Sequence, residues 1–133
     1  MTAFLDTNIL IYLLDPQAQF HTWSVEQLQS CKANGPAVVS DIVYCEFSVG
    51  MATQTDVDAA VSQFGLERLR ASDAALFRAG QAFAEYQSRG GNKTNVLPDF
   101  LIGALAEVAG APLVTANHKD FVGYFPNLQV ISP

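Results

Sequence analysis

Short apolar runs alternate with stretches of helical spacing along this chain, and this alternation limits the fold more than any other feature. The runs Thr2–Leu5, Ala37–Val39 and Leu113–Thr115 have the composition of buried strands, and each is soon followed by a polar residue that can begin a helix. Such alternation predicts an α/β fold in which a parallel sheet has helices on both faces. Ligands of such sheets bind beyond the carboxyl ends of the strands.

The remaining segments continue this pattern, with single glycine, proline and asparagine residues marking the interruptions. The further predicted strands are Leu66–Arg70 and Gln129–Ile131, and helices are predicted over Ile9–Leu14, 41–52, a segment opening at Thr55, a segment from the cap Ser72 to about Ser88, Pro98–Ala109 and a short segment capped by Asn117.

The chain has 133 residues, which predicts a single domain over residues 1–133 that buries about two-thirds of its unfolded surface. Apolar residues make up 50% and charged residues 15%, which excludes a disordered chain and a coiled coil. No apolar run approaches the roughly 18 residues that span a membrane, and no signal peptide is predicted. With only two cysteines, Cys31 and Cys45, we expect a reduced, cytoplasmic protein.

The charge balance is acidic, with seven Lys and Arg against thirteen Asp and Glu and a net charge of −6. This argues against a protein that binds duplex DNA through a basic face, but it is compatible with an enzyme that meets nucleic acid through a metal ion. The mean hydropathy is +0.18 despite this charge. We therefore expect a partner to cover part of the apolar surface.

Two acidic residues follow predicted strands. Asp6 comes directly after the first strand, and Asp120 lies in the segment that follows Leu113–Thr115. Both positions can also be explained by helix capping, because Asp caps helices well and Asn117 to Asp120 has the spacing of a capping box. At this point the two explanations stay open.

Two further acidic residues lie among small and apolar neighbours. Glu46 is in an almost wholly apolar helix, and Lys and Arg are absent from residues 33–67, so a salt-bridge partner would have to come from a distant segment. Asp99 is in the first turn of its helix on a face with Gly103 and Ala106, which permits close approach. A favourable interaction with the helix dipole is the other explanation for Asp99.

The topology of a parallel sheet predicts that Asp6, Glu46, Asp99 and Asp120 meet at one edge. Two carboxylates about 4 Å apart repel by roughly 4 kcal/mol at an effective dielectric of about 20, so such a group needs a cation. Ligands that are all oxygen select Mg²⁺ or Mn²⁺. The natural use of such a site is phosphate chemistry.

Four segments together resemble the PIN-domain ribonucleases and, within them, the VapC-type toxins of bacterial toxin–antitoxin pairs. Each motif is weak alone, but they occur in the family's order and extend over nearly the whole chain. The segments are Phe4–Leu10, Ser40–Glu46, Asp99–Ala106 and Leu113–Phe121.

The resemblance implies a PIN-like three-layer α/β/α fold with a five-stranded parallel sheet, and Mg²⁺- or Mn²⁺-dependent endoribonuclease activity that leaves a 5′-phosphate and a 3′-hydroxyl. It also implies an RNA substrate, a cognate antitoxin protein and a homodimer. The family's metal-site acids correspond to Asp6, Glu46, Asp99 and Asp120, and its supporting polar residues correspond to Asn8, Thr115 and Asn117.

Basic residues are fewer than such toxins often have. Arg89 and Lys93, in a loop broken by glycines before Asp99, are the best candidates for RNA contacts. A solvated loop with charges that favour solubility is the alternative explanation for both.

As a mechanism, we expect Asp6, Asp99 and Asp120 to hold one divalent ion while Glu46 orients or deprotonates the attacking water. The main alternative is a catalytically degenerate PIN-fold module that binds RNA or protein. A phosphatase that forms an aspartyl-phosphate at Asp6 is a weaker alternative, because Asn8 stands where that chemistry wants a second acid.

Overall fold

Five short strands and six helices make up the chain, which a computed structural model describes over all of residues 1–133. The strands are β1 (Ala3–Leu5), β2 (Ala37–Ser40), β3 (Glu67–Leu69), β4 (Leu113–Val114) and β5 (Val130–Ile131). The helices are α1 (Thr7–Leu14), α2 (His21–Asn34), α3 (Asp41–Ser48), α4 (Gln54–Gln63), α5 (Asp73–Ser88) and α6 (Leu97–Ala109), and a 3₁₀ turn covers His118–Asp120. Judged by length and hydropathy together, none of these helices qualifies as a membrane-crossing segment.

All five strands pair in parallel in the order β3-β2-β1-β4-β5, so β1 lies at the centre of the sheet. Phe4 pairs with Val38 on one side and with Leu113 on the other. Every residue of β1, β2 and β4 is buried, as expected for parallel strands covered on both faces, whereas the edge strand β3 is exposed. This confirms the predicted three-layer α/β/α class with a five-stranded parallel sheet.

Serine side chains cap two of the helices, and the cap at Ser72 is the one that the sequence predicts. The Ser40 hydroxyl accepts the backbone N–H of Val43 at 3.2 Å, and the Ser72 hydroxyl accepts that of Ala75 at 3.2 Å. Each hydroxyl satisfies one of the backbone donors that a helix leaves free in its first turn. The strand-to-helix connection therefore needs almost no loop between β2 and α3.

Four helix boundaries differ from the prediction. Helix α1 begins at Thr7 instead of Ile9, and α6 begins at Leu97 instead of Pro98. The cap of α4 is Thr53, not Thr55, because the Thr53 hydroxyl accepts the N–H of Asp56 at 3.1 Å. Helix α3 ends at Ser48 instead of residue 52. Directly after Ser48, the N–H of Val49 donates to the carbonyl of Glu46 at 3.2 Å. Gly50, a poor helix former, follows this tightened turn and helps to end the helix.

Helix α2 is absent from the prediction. Its sequence is rich in Gln, Ser and Thr, and only Ser24 and Cys31 are buried, so no apolar stripe of helical spacing marks it. Phe20 precedes it without a side-chain cap, so the usual start signal is also missing. Packing against α1 gives this helix its place in the fold.

An aromatic cluster lies between α5, α6 and the segment that follows the 3₁₀ turn. Neighbouring ring centroids lie between 5.4 and 6.1 Å apart, within the range in which aromatic pairs attract each other. The cluster fixes the segment after the 3₁₀ turn against the two helices. Its members are Phe83, Tyr86, Phe100, Tyr124 and Phe125.

Gly103 of α6 lets this segment approach the helix. A Cβ at Gly103 would lie 2.7 Å from Cε2 of Phe125 and 3.1 Å from Cδ1 of Phe121, both closer than ordinary contacts. The small face that the sequence indicates beside Asp99 is thus real, and the groups that approach it are these two aromatic rings.

Gly103→Ala should lower the free energy of unfolding by about 1 kcal/mol, since overpacking of about 1–3 kcal/mol exceeds the helix preference of alanine of about 1 kcal/mol. Gly80→Ala is the matched control, because no heavy atom lies within 4 Å of the Cβ position there. It should raise stability by up to about 1 kcal/mol. Urea unfolding measures both, and an equal gain in the two variants would contradict the packing described at Gly103.

Candidate active site

Asp6 lies at the carboxyl end of β1, next to the point where the strand order changes direction between β1 and β4. The residue is buried, and its Oδ1 accepts the N–H of Thr7 at 2.7 Å. Its Oδ2 accepts the hydroxyl of Thr115 at 2.6 Å and the side-chain amide of Asn8 at 3.2 Å. Asp6 therefore caps α1 and also lies among the candidate site residues at the carboxyl ends of the strands. The sequence left these two roles as alternatives.

Further hydrogen bonds tie the groups around Asp6 to one another. The side-chain oxygen of Asn8 accepts the N–H of Ala116 at 3.2 Å, and the Thr115 hydroxyl oxygen accepts the N–H of Asn117 at 3.0 Å. Asn8 and Thr115 thus contact Asp6 directly, as expected of supporting residues. Asn117 acts on the network only through its backbone, and its side chain is exposed.

Glu46 projects from α3 and is half-buried. Its Oε1 accepts the hydroxyl of Thr7 at 2.6 Å, and no lysine or arginine forms an ion pair with it. The salt bridge that would have explained Glu46 structurally is therefore absent. Thr7, which sequence reasoning missed, links Glu46 to the segment of Asp6; its position directly after Asp6 was the available signal.

Asp99 is half-buried in the first turn of α6, and Asp120 is exposed at the end of the 3₁₀ turn. Both line one cleft between α5, α6 and the segment after β4. Asn117 occupies the predicted cap position, but its side chain makes no capping hydrogen bond. The residues of the 3₁₀ turn are exposed, so water can satisfy the N–H groups that such a cap would bind.

Burial is the largest influence on the pKa values of Asp99 and Asp6, and repulsion between neighbouring carboxylates adds to it. Burial, and then the charges of Asp6, Asp120 and Glu46, raise the pKa of Asp99 to about 7. Burial also raises the pKa of Asp6, although the hydrogen bonds from Thr115 and Thr7 oppose this, and the charges of Glu46 and Asp120 add to the rise. The fold thus brings all four predicted acids within electrostatic range of one another.

No basic side chain forms an ion pair with this group of acids. The three ion pairs of the chain join Arg68 to Asp41, Arg78 to Glu107 and Arg89 to Glu85, all of them acids outside the group. Desolvated carboxylates without a cation must take up protons or bind a metal ion.

The donor chemistry of the four acids fits a hard divalent cation. Carboxylate oxygens are the ligands that Mg²⁺ and Mn²⁺ prefer, and the shared negative potential is the driving force for capture. In the arrangement described, no three of these side chains converge closely enough to chelate one ion. Binding would therefore require rotation of the freer side chains, Asp99 and Asp120, toward the fixed carboxylate of Asp6.

The two predicted RNA contacts differ in their surroundings. Arg89 forms an ion pair with Glu85, lies 5.0 Å from the ring centroid of Tyr124 and donates to the carbonyl of Gly123 at 3.4 Å. Lys93 lies on the cleft that contains Asp99 and Asp120. Two other residues of this cleft, Lys119 and Tyr86, were not predicted as RNA contacts. Tyr86 belongs to no motif, whereas Lys119 lies within the segment Leu113–Phe121, beside the acid Asp120.

Asp99→Asn should stabilise the metal-free protein above about pH 7 by about 1 kcal/mol, after allowance for solvent screening of a half-exposed group. The folded state holds the Asp99 proton more tightly than the unfolded state, so stability falls as the pH rises from the unfolded value of 3.8 through about 7. Asparagine stays neutral and avoids this loss.

Urea unfolding in EDTA at several pH values measures the effect, with the exposed acid variant Asp56→Asn as the control. The advantage of Asp99→Asn should vanish below about pH 4, where the wild-type group is protonated in both states. Equal stability of Asp99→Asn and wild type at about pH 8 would show that Asp99 is not under this electrostatic strain.

Solved structures of toxin–antitoxin complexes are similar to this chain along its whole length. A chain of "VapBC2 from Rickettsia felis bound to a DNA fragment from their promoter" is 26% identical, with a TM-score of 0.79 over 100% of this chain and 99% of that one. VapBC-1 from nontypeable Haemophilus influenzae is 26% identical, with a TM-score of 0.74 over 99% and 98%. A toxin–antitoxin complex from Klebsiella pneumoniae is 28% identical, with a TM-score of 0.68 over 98% and 97%.

The sequence resembles none of the curated proteins closely enough to count as a match. The model of the PIN domain, in contrast, matches residues 3–123, which include all four acids and the network around Asp6. The strand order and the position of the acids at the carboxyl ends of the strands lead to the same family as this match. The chain belongs to the PIN-domain family.

Proposed function

We propose that this chain is a metal-dependent endoribonuclease and the toxin of a toxin–antitoxin pair. The observation that carries the proposal is the group of four acids at the carboxyl edge of the sheet, in which burial and the neighbouring charges raise the pKa values of Asp6 and Asp99 and no acid has an ion-pair partner. Membership of the PIN-domain family supports nuclease chemistry, and the similarity to VapBC structures supports the toxin role.

Asp6, Asp99 and Asp120 would hold Mg²⁺ or Mn²⁺, and Glu46 would complete the site. When bound, such an ion supplies Lewis-acid polarisation of the phosphoryl oxygen and lowers the pKa of water. Asp6 is suited to be the fixed ligand, because three hydrogen bonds hold both of its carboxylate oxygens. Asn8 and Thr115 set its orientation, and Asn117 supports Thr115 through its backbone N–H.

Glu46 orients the attacking water and accepts its proton, while the hydroxyl of Thr7 holds the carboxylate in place. The water oxygen forms a bond to phosphorus as the bond from phosphorus to the 3′-oxygen breaks. The 3′-oxygen takes a proton from solvent water and leaves as a hydroxyl, and the other product keeps a 5′-phosphate. Arg89 and Lys93 contact the RNA backbone near this site.

A cognate antitoxin would restrain this activity. A groove of about 420 Å³ lies beside Glu46 and is lined by Ile11, Leu14, Val49 and Met51, and Val49 is 86% exposed. A protein partner that covers this apolar groove would also reach the acids. The proposal is supported by toxin–antitoxin complexes among the similar structures, such as the one from Klebsiella pneumoniae.

We also propose that the protein is a cytoplasmic homodimer. Leu76 and Phe77 are exposed on the outer face of α5, and Phe77 is 68% exposed. A second copy of the chain would remove these side chains from water. Both cysteines are free, which suits a reducing compartment.

A catalytically degenerate PIN-fold module that binds RNA or protein is the second candidate. One observation favours it, namely that no three of the acids are arranged to chelate an ion. The presence of all four acids and of the network around Asp6 favours the enzyme.

Asp99→Asn should lower the rate of RNA cleavage at least about a hundredfold while the fold stays intact, because the variant loses a metal ligand worth several kcal/mol in the transition state. The assay incubates purified protein with total RNA, with Mg²⁺ or with EDTA, and maps the new ends. Wild type should cleave only with Mg²⁺ and should leave 5′-phosphates.

Asp56→Asn, which removes an exposed carboxylate outside the group of four, is the matched control and should cleave like wild type. Circular dichroism confirms that each variant is folded. Wild-type turnover by Asp99→Asn with Mg²⁺ would refute the role given to Asp99, and cleavage that persists in EDTA would refute metal dependence.

A further inference from the structure

A small cleft adjoins the acids on the side of α5 and the loop that follows it. It has a volume of about 230 Å³, and its lining includes Asp99 and Asp120 together with Tyr86, Lys93, Lys119 and Tyr124. This is smaller than the roughly 300–1,000 Å³ of sites for drug-sized ligands. The cleft therefore has room for no more than about one nucleotide of a longer strand.

The lysines that line this cleft differ from most other basic residues of the chain, whose side chains already form ion pairs or hydrogen bonds. Three arginines form ion pairs, and Lys32 donates to the carbonyl of Gly65 at 2.8 Å. Arg70, Lys93 and Lys119 make no hydrogen bond or ion pair through their side chains, and two of these three line the cleft. Lys93 and Lys119 line the same cleft as Asp99 and Asp120, and because neither ammonium group forms an ion pair, both remain available to another anion.

The wall that carries Lys93 is well defined. The backbone N–H of Lys93 donates to the hydroxyl of Tyr86 at 3.2 Å, and a Cβ at Gly91 would clash with the Tyr86 ring, so the loop lies directly on that ring. Tyr86 itself stacks on Phe83 with a centroid distance of 5.9 Å. Tyr86 is thus a positioning residue for Lys93.

The opposite wall belongs to the segment that carries Asp120. Arg78 donates to the carbonyl of Tyr124 at 2.6 Å and to Glu107 at 2.7 Å, so this segment is tied to both α5 and α6. Tyr124 also contacts Phe100 edge to face at 5.4 Å. Lys119 is therefore presented from a braced segment next to Asp120.

We propose that this cleft holds the nucleotide next to the scissile phosphate, with Lys93 and Lys119 binding phosphate oxygens and the two tyrosines bounding the sugar and base. The inference rests on the proposed function and adds to it a subsite of defined residues. One divalent cation offsets half of the charge of the four carboxylates, and the two lysines offset the other half. They thereby let a polyanion approach an acidic site.

The size of the cleft sets the class of substrate. A single nucleotide that is splayed out of a strand can enter it, whereas a base-paired nucleotide is held in its helix. The lysines should therefore act on unpaired RNA and contribute little to the binding of a duplex.

The test measures binding of a 5′-labelled oligouridylate to the full chain by fluorescence anisotropy, with Ca²⁺ present to neutralise the acids. Lys93→Ala and Lys119→Ala should each raise Kd roughly tenfold and lower the salt slope by about 0.7. Lys119→Arg should restore most of the affinity, because it keeps the charge. Lys32→Ala, which removes a lysine that does not line the cleft, is the matched control and should bind like wild type.

The same strand annealed to oligoadenylate and the kinetics of cleavage in Mg²⁺ complete the design. Both cleft variants should raise KM with little change in kcat and should leave duplex binding unchanged. Kd and KM values equal to those of Lys32→Ala, or equal losses on the single strand and the duplex, would overturn the subsite. Absence of wild-type cleavage would instead refute the proposed nuclease, and the binding arm would still decide the subsite.

Discussion

Carboxylates that are partly withdrawn from water and close to one another cannot all keep their charge unless a cation joins them. In this chain, burial and three neighbouring acids raise the pKa of Asp99 to about 7, and no arginine or lysine pairs with any of the four. A fold selected only for stability would replace or pair such groups. Under the proposed function, this unpaired charge favours the binding of a divalent ion and, through it, of a phosphate.

The position of the central strand β1 allows carboxylates from distant parts of the sequence to lie near one another. Because β1 is flanked by β2 and β4, Asp6 lies where segments from distant parts of the sequence end together. The Thr115 hydroxyl and the Asn8 amide then hold Asp6 from both sides of the crevice. One carboxylate is rigid, while Asp99 and Asp120 have no such bonds and can move, so the site combines a fixed ligand with adjustable ones.

Much of this arrangement can be predicted from the sequence. The alternation of apolar runs and helical spacing gives the parallel sheet, and the rule for strand ends gives the meeting of Asp6, Glu46, Asp99 and Asp120. The features that could not be predicted from the sequence were missed for physical reasons. Helix α2 lacks a clear apolar stripe, because only Ser24 and Cys31 are fully buried and its larger apolar side chains, Trp23, Val25 and Leu28, are only partly buried.

The remaining gaps depend on contacts between distant segments. The bond from Thr7 to Glu46 joins residues 39 positions apart, and the cleft that unites Lys93 with Lys119 forms only when α5, α6 and the segment after β4 pack together. No local pattern encodes such meetings. The sequence also could not distinguish the two roles of Asp6, because an aspartate directly after a strand is equally typical of a helix cap and of a site residue.

The central claim is that the four acids form one site for a divalent cation. Calorimetric titration of the metal-free protein with Mn²⁺ at neutral pH tests it most directly. Wild type should show saturable binding in the millimolar range or tighter, with proton release from Asp99. Asp6→Asn should abolish this binding, whereas Glu67→Gln, which alters an exposed acid of the edge strand, should bind like wild type. A wild-type protein that binds no Mn²⁺ at millimolar concentration would contradict the claim.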